Sequence, residues 1–179
     1  MKQLTLLKSE FKSYGGALFN TRKGRSRGRP LATKNSMHLV LRSSQAIGPW
    51  GFRYKSNQEK VKAVLQKFAV KYGVRLLSFA NVGNHIHIHM QLGNRAGYKP
   101  FIRAITSAIM MTITGVNRWT SNTLKKKFWD LRPFTRIVIG RNAILRLKDY
   151  IEINRLQGFG HTCGSARFYM EWDKTVTQV

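Results

Sequence analysis

Three of the chain's five histidines fall in one short run, His85-Ile86-His87-Ile88-His89. In an extended strand alternate side chains point to opposite faces, so the three imidazoles share one face and Ile86 and Ile88 enter the other. Adjacent same-face imidazoles are close enough to bind one metal ion, and buried isoleucines behind them make a rigid support. An ordinary antiparallel strand with a solvated face shows the same alternation, although histidine is an uncommon choice there. A second pair is Tyr150 and Asn154, four apart in a segment of helical spacing. They project from one helix face a turn apart, which suits two groups acting on one phosphate. Taken singly, an aromatic packed on a sheet and a polar residue near a helix end are the plainer roles. A free phenol, with a pKa near ~10, is a poor nucleophile at neutral pH without help.

The charge says what such a site would meet. Thirty-two Lys and Arg against seven Asp and Glu give a formal net charge of +25 over 179 residues. Self-repulsion on that scale is retained for a polyanionic partner, and a nucleic-acid backbone is the common one. The basic residues spread along the whole chain and form no amphipathic membrane anchor. The single cysteine, Cys163, excludes a disulfide framework and a Cys-rich zinc site, and fits a reducing compartment. The longest apolar stretch, around 104–116, is broken by Thr and Ser, and the start of the chain lacks the order of a signal peptide. A cytoplasmic location is the expectation.

The elements that must position the histidines and the tyrosine follow from periodicity. Ser36 to Arg42 reads as a strand, and 57 to about 72 as a helix with Asn57 as N-cap and Gly73 beyond its end. Val74 to Val82 and His85 to Leu92 read as two strands joined at Gly83-Asn84 by a tight turn. A helix follows from Pro100 to about Gly115, then a basic loop to Lys127, then a strand that settles after Pro133. A last helix runs from Arg141 to about Leu156, with Asn142 as N-cap. The first six elements match an α+β, ferredoxin-like (RRM-like) βαββαβ antiparallel sheet, with one C-terminal helix added to carry the tyrosine.

Three regions are expected: a basic flexible N-terminal extension over 1–33, one domain over 34–158, and a tail over 159–179. The extension holds Arg22, Lys23, Arg25, Arg27 and Arg29, interleaved with Gly and Ser, as candidate nucleic-acid contacts. Gly28-Arg29-Pro30 is similar to an AT-hook core, an arginine segment that enters a narrow minor groove. Lys125, Lys126 and Lys127 are further candidates for phosphate contact.

Asn84-His85-Ile86-His87-Ile88 resembles the asparagine-led His-hydrophobe-His signature of the HUH endonucleases. Within them the chain most resembles the single-tyrosine transposases of the insertion-sequence type and their REP-associated relatives. Met37-His38-Leu39-Val40-Leu41-Arg42 is similar to the family's opening strand, often written Tyr-His-Val-Thr-x-Arg. Phe128-Trp129, then Arg132 to Val138, resembles its tryptophan-led segment, and Tyr150-Ile151-Glu152-Ile153-Asn154 its nucleophile helix. The likeness runs from about 35 to 158.

The resemblance implies a metal-dependent single-stranded DNA endonuclease and strand transferase working through a 5′-phosphotyrosine, on single-stranded or hairpin DNA. Tyr150 would be the nucleophile, and His85, His87 and Asn154 the ligands of Mg²⁺ or Mn²⁺. It leaves monomer and homodimer both open. Arg155 stands where the family often has proline, and His89 where it usually has an aliphatic residue. His89 is then a spare ligand, a phosphate contact or a solvent-facing side chain. The alternative is a non-catalytic, basic ferredoxin-like nucleic-acid-binding protein, but the third strand offers histidines in place of base-stacking aromatics. Hydrolysis by a three-histidine zinc site lacks a nearby carboxylate base.

Overall fold

A computed structural model of the chain describes residues 13–16, 28–116, 119, 124, 126–159 and 161–162. Among the described residues five strands form one antiparallel sheet: β1 (Ser13–Tyr14), β2 (Ser36–Arg42), β3 (Val74–Val82), β4 (His85–Leu92) and β5 (Phe134–Val138), in the order β1-β5-β2-β4-β3. They are accompanied, among the described residues, by the α-helices α1 (Lys55–Lys71), α2 (Tyr98–Thr114) and α3 (Arg141–Gly158). From β2 onward the order is the expected βαββαβ plus a final helix. β4 lies between β2 and β3, and β2 between β4 and β5, so each helical crossover spans an inserted antiparallel strand.

Period-two alternation divides the sheet into two chemically different faces. Met37, Leu39 and Leu41 of β2 and Ile86, Ile88 and Met90 of β4 are almost wholly buried on one of them. They meet Val61 and Leu65 of α1 and the i, i+4 stripe Phe101, Ile105, Ile109 and Ile113 of α2. The β3–β4 hairpin turns in two residues, with Gly83 at φ 60°. A glycine at the first turn position gives the twist that strands joined this tightly need. The segment before β5 is locked by aromatics. Trp129 stacks on Phe52 (5.8 Å between centroids) and donates from Nε1 to the Thr106 carbonyl at 3.0 Å, while the Phe128 carbonyl accepts from the Ser43 hydroxyl.

Several local expectations change. Part of the expected extension belongs to the fold: Ser13–Tyr14 pairs with β5 as an edge strand. Arg29 is half-buried and donates to the Pro133 carbonyl (2.8 Å) and the Thr135 hydroxyl (2.7 Å), with its guanidinium over Tyr14 at 4.3 Å. A guanidinium so engaged clamps the arm to β5, so this expected nucleic-acid contact has a structural role within the fold. Asn57 caps nothing. It is buried inside α1, and its amide donates to the Pro49 and Gly51 carbonyls (2.7 and 3.0 Å), tying down the preceding turn. Gly140, not Asn142, is the N-cap of α3. Arg22, Lys23, Arg25, Arg27 and Lys125 lie outside the described residues; Lys126 and Lys127 are exposed. Among the described residues no helix is long and apolar enough to cross a membrane.

Candidate active site on the polar face of the sheet

Opposite the apolar core, β4 turns His85, His87 and His89 toward α3. Register sets Arg42 across from His85, Val40 across from His87 and His38 across from His89. The His38 ring leans to its diagonal neighbour, however: Nε2 of His38 lies 3.1 Å from Nδ1 of His87, with the rings stacked at 5.3 Å and 18°. Such diagonal pairs are within reach on one face of an antiparallel ladder. His85 is held similarly, its Nδ1 2.8 Å from Oδ1 of Asn84 in the hairpin turn. An amide oxygen only accepts, so His85 carries its proton on Nδ1 and keeps a lone pair on Nε2. If His87 donates from Nδ1 to His38, the same holds for it, and its Nε2 is buried without a hydrogen-bond partner. Fixing one ring nitrogen so that the other is presented is how proteins prepare histidines as metal ligands.

Burial keeps the cluster neutral. Desolvation, with the neighbouring His89 and Arg136, pushes the His38 imidazole down to about 4; desolvation, with His38 and His85, takes His87 down to about 3. His85 and His89 are lowered too, first by burial and then by Arg42 and Lys148 respectively. Neutral imidazoles retain the lone pair that a ligand needs.

Helix α3 covers part of this face, packing mainly on β3. Its sheet-facing side is Ile151, Asn154 and Gly158. At Gly158 the helix backbone comes so close that an added Cβ would stand 2.5 Å from the Asn81 carbonyl oxygen. That approach sets the height of the preceding turns. Tyr150 sits beside this buried side, 46% exposed, with its ring perpendicular to His87 at 5.2 Å and edge-on to His38 at 6.0 Å. Asn154 is buried, and its amide nitrogen donates to the Tyr150 carbonyl at 2.7 Å, which leaves its oxygen for another partner.

The structure therefore gathers His85, His87 and Tyr150, with Asn154 one helical turn on. Among the described residues no group of three or more His, Cys, Asp or Glu is placed to hold a cation. The three-histidine zinc arrangement is thus not built, and a cation here would need an oxygen donor such as the Asn154 amide. Imidazole nitrogens and an amide oxygen are donor types that a divalent ion accepts. His89 is corrected as well: it is fully buried, with neither ring nitrogen partnered, so it does not face solvent. Sequence reasoning missed Arg136, an exposed cation directly across from His38; only the β2–β5 register reveals it.

With the geometry in place, comparison identifies the class. A family model described as IS200-like transposase matches residues 33–154, and the chain belongs to that family. It is thereby a member of a family of enzymes that act on DNA. The solved structure of a REP-associated tyrosine transposase bound to a REP hairpin is similar in fold, with a TM-score of 0.56 at 12% identity, over 74% of this chain and 73% of that one. A crystal structure described as that of a "putative transposase" from Deinococcus radiodurans R1 aligns over 75% of this chain and 98% of that chain at 15% identity, with a TM-score of 0.39, too loose to argue from. No curated protein matches.

Proposed function

We propose that the protein is a metal-dependent single-stranded DNA nuclease and strand transferase, with Tyr150 as nucleophile and hairpin-forming DNA as substrate. The observation that carries this reading is Tyr150 itself: half-exposed, edge-on to a neutral His87 whose Nε2 is buried and unpartnered. The phenolic oxygen attacks the scissile phosphorus and bonds to the 5′-phosphate; the P–O3′ bond breaks, and the leaving oxygen takes a proton to become a 3′-hydroxyl. The phenolic proton passes to water, which reaches a half-exposed ring. Attack by a 3′-hydroxyl on the phosphotyrosine reverses the step and joins the strands.

His85, His87 and the Asn154 oxygen would hold Mg²⁺ or Mn²⁺. Bound there, the ion supplies Lewis-acid polarisation of a phosphate oxygen and offsets developing charge. The chain's own residues do the positioning. His38 and Asn84 set the tautomers of His87 and His85, the Tyr150 carbonyl orients the Asn154 amide, and Arg42, Arg136 and Lys148 draw the DNA backbone to the face. Hairpin DNA as the substrate is supported by the fold likeness to a transposase bound to a REP hairpin.

Incubation of labelled single-stranded hairpin DNA with Mn²⁺ tests the reading. The expected result is a covalent protein–DNA adduct in the native protein and none in Tyr150→Phe. An adduct that survives Tyr150→Phe removes Tyr150 from the role.

A further inference from the structure

Behind α3, away from Tyr150, a cavity of about 250 Å³ opens at the free edge of β3. Glu59 and Lys62 of α1, Phe79 and Asn81 of β3, and Arg155 and Phe159 at the end of α3 line it. Its volume is below the ~300–1,000 Å³ of pockets for drug-sized ligands, so it suits a single flat ring system. Its walls are of two kinds. Phe79 and Phe159 offer aromatic surface, and Phe159 is 58% exposed. The Arg155 guanidinium lies 5.5 Å from the Phe159 ring centre and is held by two Nε contacts of 3.0 and 2.9 Å to the Glu152 carboxylate.

Such a cavity selects against a bare phosphate. Glu152 neutralises Arg155, and Glu59 opposes Lys62, so the two cations do not make an anion cradle. A nucleobase meets the aromatic and cationic walls, with a π-face for Phe159 and for the guanidinium. An unpaired base also enters such a pocket at the least unstacking cost. We propose that this cavity receives one unpaired nucleobase of the bound DNA strand, next to the turn that carries Asn154. The inference rests on the reading above that the substrate is single-stranded DNA.

The four uncharged 2′-deoxynucleosides, titrated into the full chain and followed by amide NMR shifts, probe the cavity apart from phosphate attraction. Shifts centred on Asn81 and Phe159 are expected, insensitive to salt and absent in Phe159→Ala. The same substitution should weaken binding of a short single-stranded oligonucleotide by roughly five- to a hundredfold, the range for losing one base–aromatic stack. At saturating hairpin DNA, Phe159→Ala should still form the tyrosine adduct at the native yield. Nucleosides that leave Asn81 and Phe159 unmoved, or shifts that persist in Phe159→Ala, overturn the proposal. Failure of the native protein to form an adduct bears on the Tyr150 reaction alone, since the nucleoside titration needs no catalysis.

Discussion

The two faces of the β2–β4 ladder are built from alternate residues of the same strands, yet they solve opposite problems. On one, Ile86 and Ile88 disappear among apolar side chains of α1 and α2. On the other, His87 and His89 are buried just as deeply, but with ring nitrogens that find no partner. Buried polar atoms without partners cost stability, so the histidine face is retained for something other than folding. The isoleucine face holds the strand straight, and the histidine face uses that rigidity to aim its ring nitrogens.

This contrast is sharpest in paired substitutions. Ile88→Ala should destabilise the fold by about 2–5 kcal/mol in urea titration, through lost burial and an unfilled cavity. His87→Ala, one residue away, should leave the urea midpoint far less changed and abolish the DNA adduct. Equal stability losses at the two positions would erase the distinction between the faces.

Acid should act on one face alone. The folded-state pKa values of His38 and His87 lie near 4 and 3, below the ordinary 6.5. The unfolded chain therefore binds more protons between these limits, and stability falls as pH drops from about 6.5 toward 4. A loss on the order of a few kcal/mol by pH 4 is expected for the metal-free protein. Denaturant melts at pH 7, 5 and 4 measure it, and replacing both histidines with phenylalanine should flatten the profile.

A smaller effect separates His38 from the ligands. His38→Phe keeps the ring volume but removes the partner of His87 Nδ1, so adduct formation should fall by about 10–100-fold and recover in part at raised Mn²⁺. A loss that added cation does not relieve would place His38 against the DNA instead. The smallest effect is expected at His89. His89→Leu replaces an unpartnered buried imidazole with an apolar group and should be neutral or stabilising by about 1 kcal/mol, with adduct formation intact. A loss of adduct in His89→Leu would make His89 part of the site.

The legible parts of this chain are those where local pattern and tertiary environment agree. β2 and β4 show period-two alternation and Gly83 marks the hairpin, so the bounds of β2, β3 and β4 agree with the expected ones even though β3 shifts register between Leu76 and Ser78. The Tyr150–Asn154 spacing likewise survives unchanged, because a helix fixes it whatever surrounds it. What was not legible depends on partners distant in sequence. A two-residue strand such as β1 has no periodicity to read and exists only by pairing with β5. Arg29 looks like one more cation in a basic arm until Thr135 and Tyr14 enclose it. Asn57 has the residue type of a cap, but the carbonyls that claim it belong to the turn before the helix.

By itself, then, the sequence determined the sheet-and-helix order, the shared face of the three histidines and the one-turn separation of Tyr150 and Asn154. Each of these follows from the geometry of a single element. Only the tertiary structure decided that His38 pairs with His87, that His89 is fully buried and that Arg155 and Phe159 wall a cavity at the edge of β3. Those outcomes depend on register and on how closely α3 can approach β3 at Gly158, and neither quantity is carried by any one segment of the chain.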